Sequence, residues 1–271
     1  METVRECLWM FSVEAGTDDQ HYGIPLSRMT PIESCYNMGV PNLMMITNEQ
    51  QEPAPPLEPY FRAMRQLREV AWSIVGSGSI TGWGEGREME ILRDLAARYP
   101  NLGGIYMDDF FNKETSDGPG THTLAELDAF REQLVVAGRR LNLWVVLYTH
   151  QIEMAHQKQL ERMDVINLWT WHASELEKLD ENFARLEEIN PGKKLSLGIY
   201  MYDYGGRKEI PLDLMKHQCE RALTWLREGR IDSAALLGSY MCDLGYETVE
   251  WTREWIKEVG DQPVSGRDIS L

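Results

Sequence analysis

Three stretches of the chain read G-x-Y-M-x-D. They are Gly104-Ile105-Tyr106-Met107-Asp108-Asp109, Gly198-Ile199-Tyr200-Met201-Tyr202-Asp203 and Gly238-Ser239-Tyr240-Met241-Cys242-Asp243. Each starts in an apolar run and ends on an aspartate, with an aromatic residue or leucine next. Aspartate is a poor strand former, and deep inside a protein its ionised carboxylate faces a large desolvation cost. At the tip of a strand it can meet water, a substrate or a hydrogen-bond donor. Carboxylates gathered in such a place do acid–base work: burial and mutual repulsion hold a proton on one while another stays ionised. Any one of these aspartates could instead cap a helix, but the loops that follow are too long for immediate capping.

The elements around the motif recur in a regular order. Short apolar runs at 7–13, 42–47, 70–75, 104–108, 143–148, 165–169, 195–201 and 234–241 read as strands buried on both faces. Helical patterns follow them at 31–38, 60–68, 87–98, 124–137, 155–162, 176–188, 212–228 and 248–259. Alternation of this kind implies a parallel sheet. Eight repeats in 271 residues leave no room for a second domain. The expected fold is therefore α/β, a single (β/α)8 TIM barrel over residues 1–271, with a loose tail at 260–271. An open doubly wound sheet gives the same alternation, but its phosphate fingerprint is missing: Val13-Glu14-Ala15-Gly16-Thr17-Asp18 is not G-x-G-x-x-G. In a barrel, catalytic side chains come from the ends of several strands on one face. That places Asp109, Asp203 and Asp243 at one rim.

Other strand ends add to that rim. The first ends at Glu14, the fifth at Tyr148 and His150, the sixth at Trp169, Trp171 and His172, and the third leads to Trp83. Tyr202 directly follows the seventh. Carboxylates with aromatic rings suit a sugar, since acids accept from hydroxyls and ring faces cover C–H surfaces. Each ring taken alone could equally be core packing.

The formal charge is −16, with 43 acidic residues spread along the chain. That argues against a nucleic-acid partner, which needs a basic surface. No run reaches the roughly 18 apolar residues of a membrane span. The first seven residues, Met1 to Cys7, lack the regions of a signal peptide, so cytoplasmic residence is the default, and secretion would follow only if a leader had been removed. Cys7, Cys35, Cys219 and Cys242 form no C-x-x-C pair and read as buried thiols, with Cys7 and Cys242 the one pair expected to be near enough to bond.

With these residues on the page, the chain resembles the (β/α)8 glycoside hydrolases. Many of these place an acid/base on strand four and a nucleophile on strand seven, which implies Asp109 and Asp203 here. Most use glutamate at both positions, so the likeness is one of position and role. The adjacent pair Asp108-Asp109 is also similar to that of O-GlcNAcase-type β-N-acetylhexosaminidases. That likeness implies that Asp108 orients a substrate acetamido group and Asp109 is the general acid/base. Asp203 would then bind substrate rather than attack it.

The expectation is thus a glycoside hydrolase with Asp109, Asp108 and Asp203 as catalytic residues and no cofactor. Glu14, Trp83, Tyr148, His150, Trp169, Trp171, His172, Tyr202 and Asp243 would bind the carbohydrate substrate. Two other classes fit the same residues. Glu14, Asp109, His150, His172, Asp203 and Asp243 could hold a divalent metal in a sugar-processing enzyme. The rim could also bind carbohydrate without any chemistry.

Overall fold

The computed structural model describes residues 2–16, 22–154 and 156–264. Eight strands form the barrel: β1 (Leu8–Ser12), β2 (Asn42–Met45), β3 (Glu69–Val75), β4 (Leu102–Met107), β5 (Asn142–Tyr148), β6 (Val165–Trp169), β7 (Lys194–Tyr200) and β8 (Ser233–Leu237). Each pairs in parallel with the next, and β8 pairs with β1 to close the cylinder. The helices are α1 (Pro31–Met38), α2 (Glu58–Met64), α3 (Glu88–Arg98), α4 (Leu124–Glu132), α5 (Gln157–Leu160), α6 (Leu179–Ile189), α7 (Leu212–Glu228) and α8 (Glu247–Val259). The expected (β/α)8 barrel is the observed one.

Local chemistry sets the boundaries. Thr30 and Glu33 form a reciprocal capping box at the start of α1, Pro31 takes its first turn, and Gly39 ends it in the left-handed region. Thr123 and Glu126 cap α4 in the same way. That helix stops at Glu132, short of the expected 137. Val135–Val136 and Arg139–Arg140 pair instead as a small hairpin, with Ala137 and Gly138 both at positive φ in its turn. The eighth strand also ends early, at Leu237 rather than 241. Ser239–Met241 form a 3-10 turn, so the third copy of the repeat lies wholly beyond its strand.

The cysteine pairing does not form: all four cysteines are free. Cys7 precedes β1 and Cys242 follows β8, so two adjacent parallel strands hold them at opposite ends of the barrel. The expected loose tail is held at its start. Val4 N–H donates to the Gln262 carbonyl, Arg5 N–H to that of Gly260, and Val264 N–H to that of Glu2. Residues 265–271 lie outside those described, as does Ala155, the first residue of the expected fifth helix.

Inside the barrel, large rings meet across the axis. Trp9 packs on Trp144 with centroids 5.2 Å apart, and Phe11 packs edge-on to Tyr106 and Trp169 at 5.9 and 5.4 Å. Two of them converge on one side chain: Tyr106 Oη and Trp169 Nε1 donate to Asn167 Oδ1 at 2.7 and 2.8 Å. Asn167 Nδ2 donates to Ser196 Oγ, which also accepts from Ser233 Oγ. A satisfied polar network in the core fixes ring orientation as well as position.

The glycines of the repeat make room for these rings. A Cβ on Gly104 would lie 2.7 Å from Trp144 Nε1, and one on Gly198 would lie 2.0 Å from Trp169 Cδ2. In each case the indole of one strand rests on the bare backbone of its neighbour. Replacing Gly198 by Ala should therefore push Trp169 off its seat and cost about 1–3 kcal/mol. Urea unfolding of G198A should show a lower midpoint at unchanged slope; an unshifted midpoint would mean that the indole does not rest on this backbone.

Candidate active site

A cavity of about 440 Å3 opens where the strands end. Its apolar floor is Phe11, Val13 and Leu237, and its walls are Tyr22, Tyr148, Trp169, Trp171, Tyr200, Tyr204 and Tyr240. Asn48, Glu49 and Gln50, beyond β2, and Ser77, Gly78 and Asn112 supply polar groups. The two acids Asp108 and Asp109 both border the same space.

Two consecutive residues of a strand face opposite sides of the sheet. Tyr106 is directed into the barrel, so Asp108 follows it inward, and its N–H still pairs with the Val75 carbonyl at 2.8 Å. Asp109 would then point outward. It does not, because its backbone turns into the left-handed region at φ 47°, ψ 27°. Such a conformation is unusual for a residue with a Cβ and costs on the order of 1–3 kcal/mol. The loop after β3 holds it there: Gly78 N–H donates to Asp109 Oδ2 at 2.8 Å, and Ser79 Oγ donates to its carbonyl at 2.7 Å. Across the cavity Tyr148 Oη donates to Asp109 Oδ1 at 2.8 Å.

The two carboxyls differ in surroundings. Asp108 is 5% exposed and receives the Asp109 N–H at 3.0 Å and a long 3.3 Å bond from Ser77 Oγ. Burial, reinforced by repulsion from Asp109, pushes its carboxyl well above the usual carboxylate range. Asp109 is half-buried; burial raises it too, while the bonds from Tyr148 and Gly78 oppose the rise. Burial also raises the Tyr148 and Tyr200 hydroxyls, which therefore stay protonated.

Of the other residues expected at the site, Tyr148, His150, Trp169 and Trp171 line the cavity. His150 stacks on Tyr148, with ring planes 9° apart. Trp171 meets Tyr22, Tyr148, Tyr200 and Tyr204. The rest do not line it. Asp203 is buried, and its Oδ1 accepts from Ala173 N–H at 3.1 Å and Gly206 N–H at 2.9 Å, tying together the loops after β6 and β7. Asp243 is exposed and accepts from Ser27 Oγ and Arg28 N–H on the loop after β1. The three aspartates thus share a motif but not a cavity. Each sits at a different distance past its strand, and two are used by loop backbone.

Glu14 is hydrogen-bonded to Tyr60 on α2. Trp83 is buried and donates to the Ser73 carbonyl. Tyr202 Oη donates to the Tyr22 carbonyl, and His172 packs against Gly205. The six residues considered as metal ligands do not converge: among the described residues no three His, Cys, Asp or Glu side chains are placed to hold an ion.

The sequence reading overlooked Asn48, Glu49, Gln50, Ser77, Gly78, Asn112, Tyr200, Tyr204 and Tyr240. Part of the signal was present. Tyr200 and Tyr240 belong to the repeat whose aspartates attracted the attention. Gly76 and Gly78 frame the loop that reaches Asp109. A Cβ on Gly76 would lie 2.1 Å from the Thr47 carbonyl oxygen, so the chain must be bare there.

No protein-family model matches the chain, and no curated protein matches it in sequence. Solved structures do. The chain is similar to the PgaB (BpsB) glycoside hydrolase domain of Bordetella bronchiseptica, with a TM-score of 0.56, 9% identity and coverage of 94% of this chain and 99% of that one. It is similar to active domain 2 of a thermostable chitinase from Pyrococcus furiosus complexed with chito-oligosaccharides (TM-score 0.52, 15% identity, 88% and 85% covered). A xylanase–α-amylase inhibitor protein in complex with trehalose matches as well (TM-score 0.54, 15% identity, 93% and 98% covered). At such identities the likeness is one of fold: the closed barrel on which these glycoside hydrolases, and an inhibitor, are built. Among the described residues no helix is long and apolar enough to cross a membrane.

The buried pair has a consequence for stability. The Asp108 carboxyl lies higher in the folded state than its ordinary value of about 3.9, so the folded state binds its proton more tightly than the unfolded state. Stability from this group is complete below about pH 3.9 and is lost as pH rises through the folded value, at about 1.4 kcal/mol per pH unit. Asp108→Asn removes the loss. The melting temperature of D108N relative to the parent should climb as pH rises above about 4 and level off once pH passes the folded value; a gap independent of pH would contradict the buried-proton assignment.

Proposed function

We propose that the protein hydrolyses a glycosidic bond, with Asp108 and Asp109 as its acid–base machinery. One observation carries the reading: two adjacent carboxyls, both raised by burial, face one aromatic-walled cavity at the strand ends. A pair holding one proton offers an acid for the leaving oxygen and an ionised partner beside it. The rings of Trp171, Tyr204 and Tyr22 present faces for the C–H side of a sugar, and Asn48, Glu49 and Gln50 present groups for its hydroxyls. No lysine or arginine is among the described lining residues. A neutral sugar is favoured over a uronic acid or a sugar phosphate.

The geometry also bears on the nucleophile. Asp203, the residue expected to attack, is spent on the Ala173 and Gly206 amides. The resemblance of Asp108-Asp109 to hexosaminidases of the O-GlcNAcase type offers a route that needs no protein nucleophile. In it the sugar's own 2-acetamido oxygen attacks the anomeric carbon while one aspartate orients the acetamido N–H. Glycosides of 2-acetamido sugars are accordingly the substrates proposed.

Aryl glycosides test this directly. A 2-acetamido substrate should turn over and its 2-hydroxy counterpart should not. Asp109→Asn should lower kcat/KM by about 10²–10⁴-fold without lowering the melting temperature. Full activity of D109N on a cleaved substrate would remove Asp109 from the chemistry. Binding without turnover across neutral sugars would leave a carbohydrate-binding barrel instead.

A further inference from the structure

Resting on that reading, the hydrogen bonds around the pair specify which member carries the proton. We propose that Tyr148, together with the Gly78 amide, is a positioning residue that keeps Asp109 ionised, so that the shared proton rests on Asp108.

The argument is one of donors and acceptors. Both Asp109 oxygens accept, Oδ1 from Tyr148 Oη and Oδ2 from Gly78 N–H, each at 2.8 Å. A backbone amide can only donate, so Oδ2 cannot direct a proton toward Gly78. Tyr148 has a single proton, and its hydroxyl directs it at Asp109 Oδ1. A bond from a phenol to a carboxylate strengthens as negative charge collects on the acceptor.

Asp108 has less support. Its amide contact comes from Asp109's own N–H, and its other oxygen has only the Ser77 hydroxyl at 3.3 Å. A hydroxyl can reverse and accept, so Ser77 can receive a proton from Asp108 where Gly78 could not receive one from Asp109. Asp108 is also the more buried of the two, where a charge is least tolerated.

The groups facing the pair are Glu49 beyond β2, Tyr106 on β4, Tyr148 and His150 at the end of β5, and Tyr200 on β7. Lys113, on the loop after the pair, donates to the Ser79 carbonyl. The Gly78 amide and Tyr148 at Asp109, set against the deeper burial of Asp108, are what distinguish the two acids. The assignment reverses the roles that the hexosaminidase resemblance implies: Asp108 becomes the proton donor and Asp109 the ionised partner.

The test is a carboxyl-carbon NMR titration of substrate-free, aspartate-labelled protein, with D108N and D109N used to assign the two signals. In the parent, the lower of the pair's two steps should appear at Asp109 and the upper at Asp108. In Y148F the lower step should move up by about one pH unit, because the ionised form loses a charge-assisted donor, while the upper step stays in place. A lower step belonging to Asp108, or two steps unmoved in Y148F, would overturn the proposal. The parent titration decides the location of the proton even if Y148F does not fold. The readout needs no substrate, so a failed glycosidase assay with a passed titration would refute the function and not the assignment.

Discussion

A β-strand turns successive side chains to opposite faces, and this chain must bring two successive carboxyls to one cavity. The left-handed backbone of Asp109 resolves that conflict, and the surrounding loops are arranged to hold it. The segment after β3 crosses close enough to give an amide and a hydroxyl to Asp109, which requires Gly76 to pass within contact of Thr47. Tyr148, from the end of β5, completes the clamp from the far side. Strain at one residue is thus balanced by three bonds from two segments, an arrangement often found where backbone geometry serves chemistry.

Beneath the pair, the barrel supplies a rigid floor. The indoles of Trp144 and Trp169 rest on the backbones of Gly104 and Gly198, and Asn167 collects the polar atoms of Tyr106 and Trp169. Rings seated on bare backbone and fixed by hydrogen bonds have little rotamer freedom to lose when a ligand arrives. The cavity walls are therefore preorganised. Their rings continue the barrel core to the surface without a break, from Phe11 and Trp169 below to Trp171 and Tyr204 above.

The remaining rim acids serve a different purpose. Asp203 accepts from the Ala173 and Gly206 amides and Asp243 from the Ser27 hydroxyl and the Arg28 amide, and so they join the loop after β6 to that after β7 and the loop after β1 to that after β8. The same residue type at the same motif position borders the cavity at one strand and braces loops at two others. What separates them is burial among like charges at Asp108-Asp109, against a supply of amide donors at Asp203.

The amino-acid sequence by itself determined the architecture and indicated the rim where the strands end. Apolar runs long enough for strands buried on both faces, alternating with helical patterns, admit few folds, and eight of them close a barrel. The repeat pointed to three strand ends, and the acids of one of them, Asp108 and Asp109, border the cavity. Composition also indicated an acidic, aromatic mouth, and Tyr148, His150, Trp169 and Trp171 are in it. Tertiary structure alone decided the rest. Whether a rim acid faces the cavity depends on a backbone angle at Asp109 and on where strand eight stops, at Leu237 before Gly238, and neither is a property of residue type. Which amides reach Asp203, and which tyrosine reaches Asp109, depends on loops far apart in the chain. Hydrogen bonds between such segments leave no periodic trace, because they constrain single residues rather than a pattern.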